Sequence, residues 1–160
     1  MSSFDDAFDA LIGNEGGYSN NPKDPGGETM WGVTARVARA YGYAGPMKDL
    51  PRDTAKEIAK KLYWDPLSLD AFDLRVAFQI FDANYNGGHP VIWMQGAAGA
   101  KVDGLIGPNT IAAVQATDPL RFMLRWNSLR LKYFTSLKTW LDFGKGWADR
   151  VANNLWKGAA

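Results

Sequence analysis

Carboxylates are the residues of this chain that could do chemistry. The 160 residues include no Cys and a single His, at position 89, which excludes a thiolate nucleophile and disfavours a Ser-His pair or a multi-histidine metal centre. Glutamates occur at positions 15, 28 and 57. Glu57 lies among the lysines of a helical pattern, where local ion pairs are the expected use. Glu15 and Glu28 therefore remain as candidates for acid chemistry.

Glu15 is the glutamate whose neighbours suit a general acid. It follows an apolar helical pattern and directly precedes Gly16 and Gly17, and glycines often end helices because they adopt backbone angles that other residues avoid. A carboxyl at the end of an apolar face is desolvated, which favours its protonated form. Glu28 is expected to be more exposed. We therefore predict that Glu15 is the proton donor of an acid-catalysed reaction.

Asp24 and Thr29 follow Glu15 in a segment rich in turn residues, over 18–32. Loops of this length in compact proteins usually have a function. Glycoside hydrolysis requires a protonated carboxyl that donates to the leaving oxygen and an ionised carboxyl that activates water or stabilises the cationic transition state. We predict Glu15, Asp24 and Thr29 as the catalytic set, with the Thr29 hydroxyl positioning water. Spacing alone fits equally well a helix C-cap and an Asx-rich turn that do no chemistry.

Aromatic side chains near these residues could bind sugars. Tyr18, Trp31, Tyr63 and Trp64 have flat apolar faces of the kind on which sugar rings stack. We predict Tyr18, Trp31 and Tyr63 as substrate-binding residues. Aromatic residues at this frequency also fit an ordinary core, so both interpretations stay open.

Helical periodicity recurs along the chain and predicts a mainly α fold. The segment after the first helix is expected to be a long loop or a small β-hairpin. Asp53 and Asp118 are expected as N-caps, and Pro108 and Pro119 as early helical residues. The predicted helices cover 4–14, 34–41, 53–64, 73–86, 91–98 and 108–116, followed by two more after Asp118 that break near Phe143 and Gly144.

Length and composition favour a single domain over 1–160. A boundary near Gly87–Pro90 would separate two lobes of that domain, 1–89 and 90–160. The 18 basic and 17 acidic residues give a net charge of +1, which provides no footprint for nucleic acid or an anionic membrane. No apolar run in the sequence approaches the length needed to span a bilayer, so we expect no membrane insertion.

Several motifs occur in a fixed order along most of the chain. They are Glu15-Gly-Gly-Tyr18, Asp24-Pro-Gly-Gly27 with Thr29, Trp31-Gly-Val-Thr34, Tyr63-Trp64-Asp65-Pro66, Phe81-Asp82 with Asn86 and Gly88, and Val102 to Thr110. In this set and order the sequence resembles glycoside hydrolase family 108, whose members are N-acetylmuramidases, mostly phage endolysins and related secretion-associated muramidases. The match departs near Asn84 and Tyr85, where small apolar residues are commoner.

The resemblance implies a lysozyme-like helical fold in which Glu15 is the catalytic acid and Asp24 the second carboxylate. It implies cleavage of the β-1,4 bond between N-acetylmuramic acid and N-acetylglucosamine without a cofactor or metal, and it adds Asn86 to the substrate-binding candidates. The same glutamate would also serve a lytic transglycosylase, which closes an anhydro ring instead of adding water. A non-catalytic wall-binding module is a further alternative.

The resemblance also implies partners and a location. Peptidoglycan glycan strands are the expected partner, and residues 90–160 resemble a peptidoglycan-binding region whose turn-to-helix motif begins at Asp103. That motif serves equally well as a structural turn with an N-cap. No export signal is visible at the N-terminus. We therefore expect synthesis in the bacterial host cytoplasm, passage through a holin or secretion pore, and action on the wall in the periplasm as a monomer.

Overall fold

The computed structural model of the chain describes residues 3–13, 16–22 and 27–159. These residues form eight α-helices and one small antiparallel sheet, so the expected mainly α, lysozyme-like fold with a β-hairpin after the first helix is confirmed. The strands are β1 Ser19–Asn20, β2 Glu28–Met30 and β3 Val33–Thr34. The helices are α1 Ser3–Ile12, α2 Ala35–Tyr41, α3 Arg52–Ala59, α4 Leu74–Asn86, α5 Pro90–Ala98, α6 Pro108–Ala116, α7 Pro119–Ser136 and α8 Trp140–Gly158.

Two compact units make up the chain, Met1–Pro66 and Leu67–Ala160. The first contains α1 to α3 and the sheet, and the second contains α4 to α8. The sequence places the lobe boundary further on, near Gly87–Pro90. The assignment of one domain with lobes 1–89 and 90–160 stays a prediction.

Helix α1 is amphipathic, because its apolar residues recur every three or four positions. Phe4, Phe8 and Ile12 are buried on one face, and each buried Phe side chain stabilises the folded state by about 1.5–3 kcal/mol. Asp5 lies in the first turn, where the helix dipole favours negative charge. The ring of Phe4 meets Trp64 edge-on, with 5.3 Å between ring centroids. This face anchors α1 in the core of the first unit.

Helix α3 begins at Arg52, so the prediction that Asp53 is its N-cap is wrong. Pro51 takes the N-cap position with φ −63° and ψ 143°, because its ring fixes φ at a value compatible with helix entry. Asp53 lies in the first turn instead, where its charge still interacts favourably with the helix dipole. The chain continues from α3 as a π-helical turn, Lys60–Trp64, a distortion that often occurs at functional sites.

Helix starts in the second unit follow local signals. The Asp118 carboxylate accepts a hydrogen bond from the backbone N–H of Arg121, as an N-cap does. Pro108 and Pro119 stand at the start of α6 and α7, where the missing proline N–H has no intrahelical partner to lose. The predicted N-cap and both predicted prolines are confirmed.

The last two helices break at 137–139 and not near Phe143 and Gly144, so this part of the prediction is wrong. Gly144 is a buried residue inside α8. A Cβ added to it would lie 2.5 Å from Cδ2 of Trp140. Glycine therefore serves here to let the Trp140 ring pack on the backbone, not to end a helix.

Candidate active site

The two predicted carboxylates, Glu15 and Asp24, lie outside the residues that the structure describes. Gly13 and Gly16 are the described residues nearest Glu15 in the chain, and Pro22 and Gly27 are those nearest Asp24. In sequence, Glu15 stands between the end of α1 and Gly16, and Asp24 stands between β1 and β2.

The small sheet places Thr29 at its centre. Strand β2 pairs antiparallel with both β1 and β3, and Thr29 is opposite Ser19 on one side and Thr34 on the other. Directly opposed residues of a sheet share a face, so these three hydroxyl-bearing side chains are neighbours. Thr29 itself is half-buried. Because β1 and β2 are paired antiparallel, they form a hairpin.

Trp31 occupies a tight turn that normally excludes bulky side chains. Trp31 and Gly32 form the two-residue loop between the paired residues Met30 and Val33, with φ of 51° and 74°. Positive φ at both central residues is the mark of a type I′ turn, which prefers Asn-Gly. A Trp at positive φ costs about 1–3 kcal/mol. Contacts of Trp31 must therefore offset this strain.

Three contacts hold Trp31 in its turn. Its backbone N–H donates to the carbonyl oxygen of Gly16 at 2.8 Å, and its indole N–H donates to the carbonyl oxygen of Leu50 at 3.0 Å. The guanidinium carbon of Arg52 lies 5.8 Å from the ring centroid, within the range of a cation–π interaction. Trp31 therefore ties the hairpin to the Gly16 segment and to the residues that precede α3.

Gly16, the residue after Glu15, is buried against the Trp31 ring. A Cβ added at Gly16 would overlap the indole of Trp31 and would lie 2.7 Å from Cγ2 of Ile12, so the packing leaves room only for glycine. The next residue, Gly17, has no described atom within 4 Å of such a Cβ. Close packing therefore requires the first of the two glycines and not the second.

Arg52 lies over two aromatic rings of the first unit. Besides Trp31, its guanidinium carbon lies 5.2 Å from the ring centroid of Phe8. It also forms an ion pair with Asp9, in which the two side chains are 38% and 58% exposed. Ion pairs this exposed stabilise a fold by at most about 1 kcal/mol. The larger contribution of Arg52 is the apolar surface that it covers.

Tyr18 is held by a hydrogen bond across the hairpin. Its hydroxyl donates to Oε1 of Glu28 at 2.5 Å, and Nζ of Lys48 lies 5.1 Å from the centroid of its ring. The bond to Glu28, with a smaller effect of desolvation, raises the pKa of Tyr18 above its usual 10.0. The phenol therefore stays protonated, and the pair ties the residue before β1 to the first residue of β2.

Tyr63 and Asn86 belong to different units. Tyr63 is half-buried in the π-helical turn, and burial raises the pKa of its phenol. Asn86 is the last residue of α4, and its side-chain amide donates to the carbonyl oxygen of Asp82 at 2.8 Å, within its own helix. Binding of substrate by these two residues stays a prediction.

The first unit offers polar groups around the hairpin. The Thr29 hydroxyl and the Tyr18–Glu28 pair supply hydrogen-bond donors and acceptors, and Lys48 supplies a positive charge. Throughout residues 3–13, 16–22 and 27–159, no three His, Asp or Glu side chains are grouped as metal ligands.

Two residues of this site, Lys48 and Arg52, were not predicted from the sequence. Each contacts a predicted residue from a distant part of the chain. The one local sign is the Trp31-Gly32 dipeptide, because a residue followed by glycine between two short strands is typical of a two-residue hairpin. A Trp at the first position makes this turn hard to predict, because that position prefers Asn, Asp or Gly.

Comparisons with known proteins agree with this geometry. The model of the family glycosyl hydrolase 108 matches residues 8–88. The chain is also similar to the solved structure of SagA from Brucella abortus, with a TM-score of 0.87 and 30% sequence identity over 98% of this chain and 94% of that chain. No curated protein matches the sequence. The chain therefore belongs to glycosyl hydrolase family 108, and it is a glycoside hydrolase of the muramidase-like kind that acts on peptidoglycan.

Proposed function

We propose that the chain is an N-acetylmuramidase that hydrolyses the β-1,4 bond between N-acetylmuramic acid and N-acetylglucosamine. Glu15 protonates the leaving glycosidic oxygen, Asp24 assists the attacking water or the cationic transition state, and Thr29 positions the water. The observation that carries this proposal is the contact of Trp31 with Gly16. It joins the hairpin that bears Thr29 to the residue that follows Glu15.

The path of the chain supports a catalytic set drawn from one short stretch. From Gly16 the chain enters β1, continues to β2 and returns at Trp31 to a hydrogen bond with Gly16. This hydrogen bond brings the two ends of the stretch 16–31 together. Paired strands and a packed glycine also restrain the segment, as a catalytic constellation requires.

Glu28 is proposed to be structural and not the acid. A general acid must hold a proton that it can give to the leaving oxygen. The Glu28 carboxylate is instead engaged by the Tyr18 hydroxyl, which donates to its Oε1 at 2.5 Å. This leaves Glu15 as the glutamate of the site that is available for the acid role.

The same proposal assigns substrate contacts to Tyr18, Tyr63 and Asn86. The Tyr18 ring is anchored by its hydroxyl, so a sugar that contacts it meets a fixed surface. Tyr63 is half-buried, which leaves part of its ring accessible. Asn86 is exposed, and its amide can add hydrogen bonds to a glycan.

Delivery to the wall is proposed to use a holin or a secretion pore, and the enzyme is proposed to act as a monomer in the periplasm. Every helix of the described residues is too short or too polar to span a bilayer. Co-expression with and without a holin tests the proposal by the time course of lysis. Rapid lysis without any pore would contradict it.

Digestion of purified sacculi tests the function, with wild type, Glu15→Gln and Glu57→Gln compared at equal concentration. Glu57 is an exposed helical residue whose carboxylate accepts from Tyr41, so its Gln variant is a matched control and should keep wild-type activity. The Glu15→Gln variant should digest sacculi about 10²–10⁴-fold more slowly than wild type, because this is the usual contribution of a general acid to the rate. Mass spectrometry of wild-type products should show ends to which water has been added.

Two results would contradict the proposal in different ways. Products that carry mainly 1,6-anhydro ends would make the enzyme a lytic transglycosylase, although Glu15 could still be its acid. Undiminished digestion by Glu15→Gln would remove Glu15 from the acid role.

A further inference from the structure

The conformation of Trp31 requires an explanation beyond its turn. Its φ of 51° is one that bulky residues rarely adopt. Asn would fit the first position of this type I′ turn without strain. Strained residues persist only where surrounding contacts determine them, and they concentrate at functional sites. The contacts of Trp31 must therefore offset this strain, and they indicate a functional role for the residue.

The contacts of Trp31 converge on Gly16. The backbone N–H of Trp31 donates to the Gly16 carbonyl at 2.8 Å, and the indole ring covers the side of Gly16 where a Cβ would project. The indole N–H is fixed at its other end to the Leu50 carbonyl at 3.0 Å. Gly16 is thus held by a hydrogen bond and by a ring that is itself anchored.

We propose that Trp31 is a positioning residue that acts through Gly16 on the catalytic carboxylate of Glu15. This proposal rests on the proposed function, in which Glu15 is the acid. Gly16 is bonded directly to Glu15, so fixing the Gly16 peptide limits where the preceding residue can place its side chain. An error of about 1 Å in the position of a reacting group lowers a rate by about 10²-fold.

This role differs from that of a sugar platform, and kinetics can separate the two. A platform contributes binding that is equal in the ground state and the transition state, so its loss raises KM and leaves kcat unchanged. A positioning residue contributes mainly in the transition state, so its loss lowers kcat.

The first test compares Trp31→Asn and Trp31→Phe with wild type on solubilised glycan strands. Asn suits the turn and removes the ring, and Phe keeps a ring over Gly16 but loses the bond to Leu50. Trp31→Asn should lower kcat about 10²-fold with KM changed by less than about 3-fold, and Trp31→Phe should recover most of kcat. A raised KM with wild-type kcat in Trp31→Asn would overturn the proposal in favour of a platform.

The second test changes Gly16, the other residue of the contact with Trp31. Gly16→Ala forces a Cβ into the Trp31 ring, so kcat should fall as in Trp31→Asn. The matched control Gly17→Ala has open space and should keep wild-type kcat. Because both changes break one contact, the double variant Gly16→Ala/Trp31→Asn should lose little more than either single variant. Equal effects of Gly16→Ala and Gly17→Ala would overturn the proposal.

The Glu15→Gln variant, measured in the same assay, distinguishes failure of the proposed function from failure of the positioning role of Trp31. If Glu15→Gln keeps activity, the proposed function fails and the role of Trp31 fails with it. If Glu15→Gln is inactive while Trp31→Asn changes only KM, the positioning role alone fails. Circular dichroism and the melting temperature identify any variant that does not fold. Should Trp31→Asn be such a variant, Trp31→Phe and Gly16→Ala against Gly17→Ala decide the question by the same criteria.

Discussion

Arg130 and Asp82 form a buried ion pair in the second unit, with Nη1 of Arg130 donating to Oδ2 of Asp82 at 2.6 Å and side chains 0% and 4% exposed. Asn154 donates to the same carboxylate oxygen at 2.8 Å. Burial lowers the pKa of Arg130, and the charge of Asp82 opposes that shift. The three side chains come from α4, α7 and α8, so this polar cluster joins three helices.

Arg130→Ala should destabilise the protein by about 3–5 kcal/mol, because it leaves the Asp82 carboxylate buried without its main cation. The matched control is Arg75→Ala, which removes an arginine from an ion pair with Asp73 whose side chains are 43% and 39% exposed. It should cost less than about 1 kcal/mol. Urea unfolding at neutral pH measures both differences, and similar midpoints for the two variants would contradict the prediction.

Two glycines of α8 should respond in opposite directions to alanine. Gly144→Ala places a Cβ against the Trp140 ring and should lower stability by about 1–3 kcal/mol through overpacking. Gly146 has no described atom within 4 Å of a Cβ. Gly146→Ala should therefore raise stability by about 0.5–1 kcal/mol, the usual gain in a helix interior. Thermal unfolding measures both effects as shifts of the melting temperature. Shifts of the same sign in the two variants would contradict the packing of the Trp140 ring on Gly144.

Gln95 organises the turn before α6. Its Oε1 accepts from the backbone N–H groups of Asp103 and Gly104 at 3.1 and 3.0 Å. Its Nε2 donates to the Asp103 carboxylate at 2.8 Å and to the Thr110 hydroxyl at 3.1 Å. The turn-to-helix motif thus has a structural role. Binding of cell wall by this region stays a prediction.

Gln95→Met should destabilise the protein by about 2 kcal/mol, because the buried Gln95 side chain loses its bonds to the backbone N–H groups of Asp103 and Gly104 and to the Thr110 hydroxyl. The control is Gln115→Met, since Gln115 is an exposed glutamine whose amide donates to the Ala71 carbonyl. The loss of this exposed hydrogen bond in Gln115→Met should lower the free energy of unfolding by less than about 1 kcal/mol. Denaturant midpoints compare the two, and an equal or smaller effect at Gln95 would show that its bonds do not shape the turn.

The Tyr18–Glu28 pair predicts a change in alkaline titration. The hydrogen bond to Glu28 is the largest cause of the raised Tyr18 pKa, so Glu28→Gln should bring that pKa back toward 10.0. Because the folded-state pKa lies above the unfolded value, the stability from this bond is fully present below about pH 10. It is lost as the pH rises through the folded-state pKa.

Ultraviolet difference titration of tyrosinate checks this expectation, with Tyr18→Phe used to assign the transition. The late step that belongs to Tyr18 should be absent in Tyr18→Phe and should occur at lower pH in Glu28→Gln, whereas the late step of Tyr63, whose pKa burial raises, should remain in both variants. An unchanged titration curve in Glu28→Gln would mean that the carboxylate does not hold the phenol.

Local signals determined most of the helices and the list of catalytic candidates. The Asp118 cap and the prolines that open α6 and α7 act within about one turn of helix, so neighbouring residues suffice to predict them. The prediction of Asp53 as an N-cap was wrong because α3 begins earlier, at Arg52, with Pro51 in the N-cap position. Glu15, Asp24 and Thr29 were predicted as the catalytic set from residue type, spacing and motif order, none of which requires a folded structure.

Tertiary structure alone decided how Trp31, Gly16 and Arg130 are used. An aromatic residue in a turn-rich segment fits a sugar platform, and an arginine is usually exposed. Partners distant in sequence hold Trp31 and bury Arg130: Leu50 is 19 residues from Trp31, and Asp82 is 48 residues from Arg130. Substrate contact by Trp31 stays a prediction. Helix formation and capping depend on energies between neighbours, whereas burial and pairing across such distances exist only after the chain has folded.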